Sequence, residues 1–425
     1  MKNIFFVTSK GKTLLFDSLN GCGGVFSSKI NPYLITEGQN VVGYSKDTPQ
    51  VLTKYLKNKN LFESTNSKGA IEYRNTRLEE AKKGNLISSI RLTLTKKCNC
   101  VCDYCYVERD YKHNAILSYN DCFSFISKII EKNKKKKYLI RFFGGEPTLA
   151  FSTIKELLVK LHHYYPDISF EYVINTNLQC ITKEMLFFFK TNNFKVVVSL
   201  DGLKENNDIN RHSLISNSYF EQAVKNIKEL TNLSINYVVA AVVTTKNRNK
   251  IIEFLYSIKE LGVKNIGLNC VKMSTNMLTY DENLANILYD SFLWGEENGI
   301  AVSGYWYLPF ERIVTGSDYA FCGGLGYELD LRPDLSIYSC VGIKEPIGTM
   351  DDFDSVFYNP LYLNLVSRIS PFINECDGCF IQGLCAGECA CNTKYKTGSY
   401  MSIDNSQCDF LRSITQKLIL HYLSS

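Results

Sequence analysis

Three cysteines, Cys98, Cys102 and Cys105, follow the spacing C-x3-C-x2-C within TLTKKCNCVCDYCYVERD. A loop that short can wrap three thiolates around one metal centre. Structural zinc sites normally take four protein ligands, and no histidine or further cysteine stands nearby at zinc-finger spacing, apart from the interleaved Cys100. Three thiolates on a four-iron four-sulfur cube leave one iron open to a small molecule. A second set fills the last quarter of the chain: Cys322, Cys340, then Cys376-x2-Cys379-x5-Cys385-x3-Cys389, Cys391 and Cys408. Taken alone, C-x2-C-x5-C-x3-C suits zinc knuckles as well as iron–sulfur clusters. The 16 cysteines stand against only 5 histidines, and a chain of 425 residues needs no disulfides to hold its core. Cys22, Cys122, Cys180 and Cys270 stand singly and read as small buried hydrophobes.

The elements that must position these thiols read as repeated βα units. Apolar β-branched runs at 90–94, 138–143, 169–175, 194–200, 236–243 and 265–270 alternate with helical periodicity near 119–134, 152–164, 182–191, 217–231, 248–261 and 282–297. Six parallel strands with right-handed crossovers curve into an incomplete α/β barrel of the TIM type, since eight are needed to close one. The first cysteine loop follows the first strand, and function belongs at the strands' C-terminal ends. Residues 1–80 read as a small separate α+β module, with strands at 4–8 and 13–17, a Gly-rich turn at 21–24 and a helix at 48–57. The expected division is therefore 1–80, a barrel over 85–300 and a cysteine-rich domain over 301–425.

Composition excludes other classes. With 45% apolar and 21% charged residues the chain is an ordinary globular protein, not disordered, collagenous or coiled-coil. A net charge of +5 is too small an excess to imply nucleic acid as a partner. The Lys134–Lys137 run reads as a solvated loop. No apolar run approaches a membrane span, and MKNIFFVTSKGK meets a lysine before a signal-peptide core forms, so no membrane and a cytoplasmic location are expected.

At Cys98, Cys102 and Cys105, with Tyr104 before the last, the sequence resembles the radical S-adenosylmethionine superfamily. Its second mark, a Gly-Gly-Glu-Pro turn after the second strand, is present as Gly144, Gly145, Glu146 and Pro147. Two glycines let backbone approach a ligand closely, and a glutamate can accept hydrogen bonds from a ligand ammonium. The resemblance implies that Ser199, Leu200, Asp201 and Gly202 approach the ribose, that Arg211 meets the methionine carboxylate, and that Leu268 packs on adenine. Asn175, Thr176 and Asn177 resemble the family's Thr-Asn-Gly turn, with Leu178 in place of glycine. Read without the resemblance, Ser199 and Asp201 could cap the next turn and Arg211 could be a surface ion pair. The implied chemistry is reductive cleavage of S-adenosylmethionine to a 5′-deoxyadenosyl radical that takes hydrogen from substrate, with a flavodoxin or ferredoxin as electron donor.

The second set resembles the SPASM extension of radical enzymes that modify peptides and proteins, with Leu335 in place of its turn glycine. That resemblance implies two auxiliary four-iron clusters, making three in all. Cys376, Cys379, Cys385 and Cys408 would hold one. Cys322, Cys340 and Cys389 would hold the other, leaving an iron open to substrate or ligated by something else such as Cys391. The expected activity is that of a peptide maturase forming a thioether or carbon–carbon link in a ribosomally made precursor, whose leader an edge strand of residues 1–80 could bind. The alternatives are a sulfatase maturase making formylglycine and a non-catalytic iron–sulfur or zinc protein. Asp103, Glu108, Glu328 and Asp330 are unranked candidates for a base.

Overall fold

The computed structural model describes residues 3–19, 21–58, 67–107, 115–274, 277–317 and 319–425. The N-terminal strands β1 (Ile4–Ser9), β2 (Lys12–Asp17), β3 (Cys22–Ser27), β4 (Leu34–Glu37) and β5 (Asn40–Tyr44) form an antiparallel sheet in the order β3-β2-β1-β5-β4, followed by α1 (Gln50–Asn58) and α2 (Ser67–Lys82). Of the expected Gly-rich turn, Gly21 is a turn residue at φ +66°, while residues 22–24 open strand β3. Its glycines serve close packing: a Cβ on Gly24 would stand 2.4 Å from the Tyr55 hydroxyl, and one on Gly23 would stand 2.9 Å from Ile313. This sheet is not isolated, because Phe5, Leu14 and Phe16 belong to the same continuous apolar cluster as the barrel.

All six expected parallel strands form: β6 (Ser89–Thr93), β8 (Lys137–Phe143), β9 (Ser169–Thr176), β10 (Lys195–Ser199), β12 (Tyr237–Val243) and β13 (Asn265–Cys270). Between them run α3 (Tyr119–Asn133), α4 (Phe151–Tyr164), α5 (Lys183–Thr191), α7 (Tyr219–Asn232) and α8 (Ile251–Glu260), and α9 (Glu282–Asn298) follows β13. Ser118, Thr182, Ser218 and Asp281 each accept a backbone N–H at the start of α3, α5, α7 and α9, which is why the helical periodicity begins there.

The sheet is wider than six strands. Parallel β14 (Ala301–Ser303) extends it beyond β13, and parallel β15 (Glu328–Leu331) joins β6 on the other side, followed by antiparallel β16 (Ser336–Tyr338) and β17 (Gly348–Thr349). The ten strands remain an open sheet with β14 and β17 at its ends. Two expectations change: the barrel sheet continues past residue 300, and part of the cysteine-rich region is built into its edge. The remaining elements are the two-stranded pair β7 (Cys100–Cys102) and β11 (Arg211–Ser213), with helices α6 (Lys204–Asp208), α10 (Leu308–Thr315), α11 (Pro360–Ser367), α12 (Ala390–Thr397) and α13 (Asn405–Ser424). Among the described residues no helix is long and apolar enough to cross a membrane.

Candidate active site

The C-terminal ends of the parallel strands form one rim, and the first cysteine loop lies across it. The Gly-Gly-Glu-Pro turn after β8 clamps that loop: Gly145 N–H donates to the Thr95 carbonyl at 2.8 Å and Glu146 N–H to that of Lys97 at 2.9 Å. A Cβ on Gly144 would stand 2.4 Å from the Thr95 oxygen, and one on Gly145 would stand 2.2 Å from the Lys97 oxygen. The close approach expected toward a ligand is thus already made, backbone to backbone, beneath the cysteines. Gly145→Ala is expected to cost about 1–3 kcal/mol, because a carbonyl cannot yield as a flexible side chain can. Thermal denaturation would read that loss, and the iron content after anaerobic reconstitution would read the displaced loop.

The other side of the loop is held by β7, which pairs antiparallel with β11 so that Cys102 faces Arg211. Arg211 makes a two-point ion pair with Asp201, Nε to Oδ2 at 2.8 Å and Nη2 to Oδ1 at 3.0 Å, with both side chains buried. Val242 N–H also donates to Asp201 Oδ1 at 2.8 Å, and the Tyr104 hydroxyl donates to Oδ2. The Arg211 guanidinium lies 5.3 Å from the Tyr104 ring centre, and its Nη1 is 3.8 Å from Cys102 Sγ. Burial is the largest effect and works against the Arg211 charge, but Asp201 together with Tyr104, Tyr219 and Cys102 outweighs it and holds the guanidinium firmly protonated. Arg211 is therefore not a surface ion pair. Nor does Asp201 cap a helix: α6 begins after Leu203 without a side-chain cap.

Glu146 is buried and accepts four hydrogen bonds, with Oε1 taking Thr148 N–H at 3.1 Å, Thr148 Oγ1 at 2.7 Å and Thr176 Oγ1 at 2.8 Å. Oε2 takes Asn177 N–H at 2.8 Å and, with one donor, has a lone pair to offer. Burial raises its pKa and these donors oppose the rise. Asn177 in turn donates to Asn99 Oδ1 at 2.7 Å, tying the third strand's turn to the cysteine loop. Leu178 adopts φ +57°, the left-handed conformation that glycine would take at that position. Ser199 is half-buried, its carbonyl accepting from the Tyr219 hydroxyl at 2.8 Å. Leu268 is fully buried in the apolar cluster, while its neighbours Gly267 and Asn269 are the half-buried positions of β13.

The barrel's inner face carries a polar ladder absent from the sequence reading. Arg91 on β6 pairs with Glu328 on β15 at 2.8 Å, Ser89 donates to Glu328 at 2.9 Å, Arg141 on β8 lies 3.3 Å from the same carboxylate, and Thr93 donates to Asp330 at 2.7 Å. Two of the candidate bases, Glu328 and Asp330, thus line this face. Asp103 lies at the surface with Lys246 at 2.9 Å, and Glu108 falls outside the described residues. Burial raises the Asp330 pKa from 3.8 to about 6, against the pull of Arg91 and Arg332. Between those two values the folded chain binds the extra proton, so Asp330 makes stability fall as pH rises from about 4 to 6. Urea titrations across that window are expected to show a shallower fall in Asp330→Asn.

The second set of cysteines gathers into two groups. Cys376, Cys379, Cys385 and Cys408 lie within electrostatic reach of one another. Cys322, Cys340, Cys389 and Cys391 form the other, with Cys391 Sγ 3.9 Å from Cys340 Sγ. Among the described residues no three histidine, cysteine or acidic side chains stand close enough together to hold a single metal ion. Two residues that motif reading passed over organise these groups. Arg368, fully buried, donates to the carbonyls of Gly387, Glu388, Tyr400 and Ser402 and so frames the loop bearing Cys385 and Cys389. Lys272, just after β13, sets its ammonium 3.7 Å from the Tyr305 ring centre and within reach of Cys322, Cys389 and Cys391. Its position at a strand's C-terminal end was the available signal. Leu335, standing where SPASM domains have glycine, adopts φ +61°.

A parallel α/β sheet with a three-thiol loop clamped at its C-terminal rim defines an enzyme class that works through a bound cluster. The family profile described as Radical SAM superfamily matches residues 92–258, and that part of the chain is a radical SAM domain. It is 27% identical over 375 residues to the radical SAM cyclopropyl synthase TigE of Paramaledivibacter caminithermalis, covering 82% of this chain and 77% of that one. It is 26% identical to a cysteine-type anaerobic sulfatase-maturating enzyme of Clostridium novyi, covering 76% of this chain and 93% of that enzyme. In fold it matches native anSMEcpe with bound AdoMet and Cp18Cys peptide (TM-score 0.68, 20% identity, 80% of this chain and 98% of that one). It also matches Streptococcus suis SuiB bound to precursor peptide SuiA (TM-score 0.58, 14% identity, 96% and 98%). The family's cofactors are S-adenosylmethionine and a four-iron four-sulfur cluster. Three thiols on one clamped loop, with a guanidinium beside Cys102, fit a cube that takes three protein ligands.

Proposed function

We propose that the chain is a peptide maturase that closes an intramolecular link in a ribosomally made precursor, and that the link is a carbon–carbon bond. The thioether is the other possibility, and the likeness to a cyclopropyl synthase favours carbon–carbon closure. The observation that carries the reading is the convergence of the cysteine loop, Glu146 and the Tyr104–Asp201–Arg211 cluster on one rim. In this reading residues 1–80 recognise the precursor, 85–300 perform the radical step and 301–425 form a SPASM domain. Cys98, Cys102 and Cys105 would hold the first cube, with Tyr104, Gly144, Gly145, Glu146, Ser199, Asp201, Arg211 and Leu268 around S-adenosylmethionine. Arg211, locked by Asp201, suits a carboxylate, and the spare lone pair of Glu146 Oε2 suits an ammonium. Cys322, Cys340 and Cys389 would hold one auxiliary cube, and Cys376, Cys379, Cys385 and Cys408 the other. When bound, the first cube and S-adenosylmethionine supply a radical that takes one hydrogen atom from the peptide, and the auxiliary cubes supply a sink for the second electron. Asp330, with a pKa near 6 on the barrel's inner face, is suited to hold the proton released with that electron.

The precursor's leader would add to an edge of the N-terminal sheet, β3 or β4, where Val25 and Ile35 are exposed. Because that sheet shares the barrel's apolar cluster, point changes test it better than truncation. Val25→Asp and Ile35→Asp are expected to leave thermal stability within about 0.5 kcal/mol while at least one weakens peptide binding by tenfold or more, read by fluorescence anisotropy.

The central test is anaerobic reconstitution followed by S-adenosylmethionine and dithionite. Formation of 5′-deoxyadenosine, lost in Cys98→Ala, supports the reading, and its absence from the parent protein would overturn it. With a precursor encoded beside this chain, mass spectrometry should find a loss of two hydrogens. The likeness to sulfatase-maturating enzymes favours a second reading, in which a cysteine or serine becomes formylglycine. A product that condenses with a hydrazide would select it.

A further inference from the structure

We propose that Cys391 is the fourth protein ligand of the auxiliary cube otherwise held by Cys322, Cys340 and Cys389. The proposal rests on the two-auxiliary-cluster reading above. Cys391 is two residues beyond Cys389, the N-cap of α12, and lies in that helix's first turn, which carries its thiol toward the same centre. The thiol is buried and donates to Cys340 Sγ at 3.9 Å. The pair is closer than thiolates on two different irons would be, so one of them turns to a neighbouring rotamer when a cube is seated.

The surroundings are those of a ligand set. Gly342 leaves the room: a Cβ there would stand 3.0 Å from Cys391 Sγ. Gly342 N–H donates to Cys340 Sγ at 3.5 Å. Backbone donors to sulfur of this kind are what hold and tune a cluster. Two cations, Lys272 and Arg91, face this group and oppose the charge of four thiolates. With Cys391 in place every iron of this cube has a protein ligand. The cube then offers no site to a substrate thiolate and serves electron transfer alone.

The test uses the chain carrying Cys98→Ala, Cys102→Ala and Cys105→Ala, in which only the auxiliary cubes can form. Anaerobic reconstitution should give about eight irons per chain. After reduction, added 13C-labelled cyanide is expected to leave the electron paramagnetic resonance and carbon-13 couplings unchanged. Adding Cys391→Ala should create a cyanide-binding iron or convert one cube to a three-iron form. Cys391→Ser should keep the iron content and shift the g values. Cyanide binding with Cys391 intact, or spectra indifferent to its replacement, would overturn the proposal. Iron content separates these results from failure of the underlying reading: fewer than about four irons, or zinc, in the triple-alanine chain would remove the auxiliary clusters and this ligand with them.

Discussion

Asp201→Ala is expected to cost about 3–5 kcal/mol and to abolish formation of 5′-deoxyadenosine. The reason is the charge left behind. Arg211 is buried and Asp201 supplies its carboxylate partner, at 2.8 and 3.0 Å, so removing that carboxylate strands a guanidinium away from water. The same change strips the acceptor from Val242 N–H and from the Tyr104 hydroxyl. Because β11 carries Arg211 opposite Cys102, the disturbance reaches the cysteine loop directly. Asp201→Asn keeps an acceptor for Val242 but not the charge, and should lose less. Chemical denaturation gives the stability difference, and equilibrium dialysis of S-adenosylmethionine against the reconstituted protein gives the binding loss. A variant as stable as the parent would show that water reaches Arg211 and that the pair does not brace the site.

The second large effect concerns the cysteine-rich region. Arg368→Ala removes the donors to four backbone carbonyls at once, Gly387, Glu388, Tyr400 and Ser402, all around a side chain with 0% exposure. A buried carbonyl without a partner costs about 1–3 kcal/mol, and partial collapse of the site recovers some of it, so a net loss on the order of 4 kcal/mol is expected. The carbonyls belong to the segment between Cys385 and Cys408, so iron content should fall by about one cube even in molecules that remain folded. Arg368→Lys reaches fewer of the four acceptors and should fall between the parent and alanine. The measurements are thermal denaturation and iron-to-protein ratio on the same preparations.

The two leucines at glycine positions show how far motif reading goes. Leu178 and Leu335 depart from their motifs, yet both adopt positive φ, +57° and +61°. The backbone of each turn is preserved and the side chain bears roughly 1–2 kcal/mol of left-handed strain. A motif records the residue usually found, whereas the fold requires only the conformation. The Gly-Gly-Glu-Pro turn was legible in position, but not that its glycines closely approach residues 95–97, about 50 positions earlier in the chain.

What the sequence determined by itself was local. Cysteine spacing, helix caps and the alternation of apolar runs depend on residues a few positions apart, so the first cysteine loop, the six parallel strands β6, β8, β9, β10, β12 and β13 and the helices between them could be read directly. What only the tertiary structure decided was pairing between distant residues. Strand β15 has the acidic text Glu-Leu-Asp-Leu, which can be buried only because Arg91 meets Glu328 across a separation of 237 positions. The same holds for Arg211 with Asp201 and for Arg368 with the carbonyls of Gly387, Glu388, Tyr400 and Ser402. A buried charge or an exposed ligand set costs free energy until its partner arrives, and which partner arrives is fixed by the packing of the whole chain.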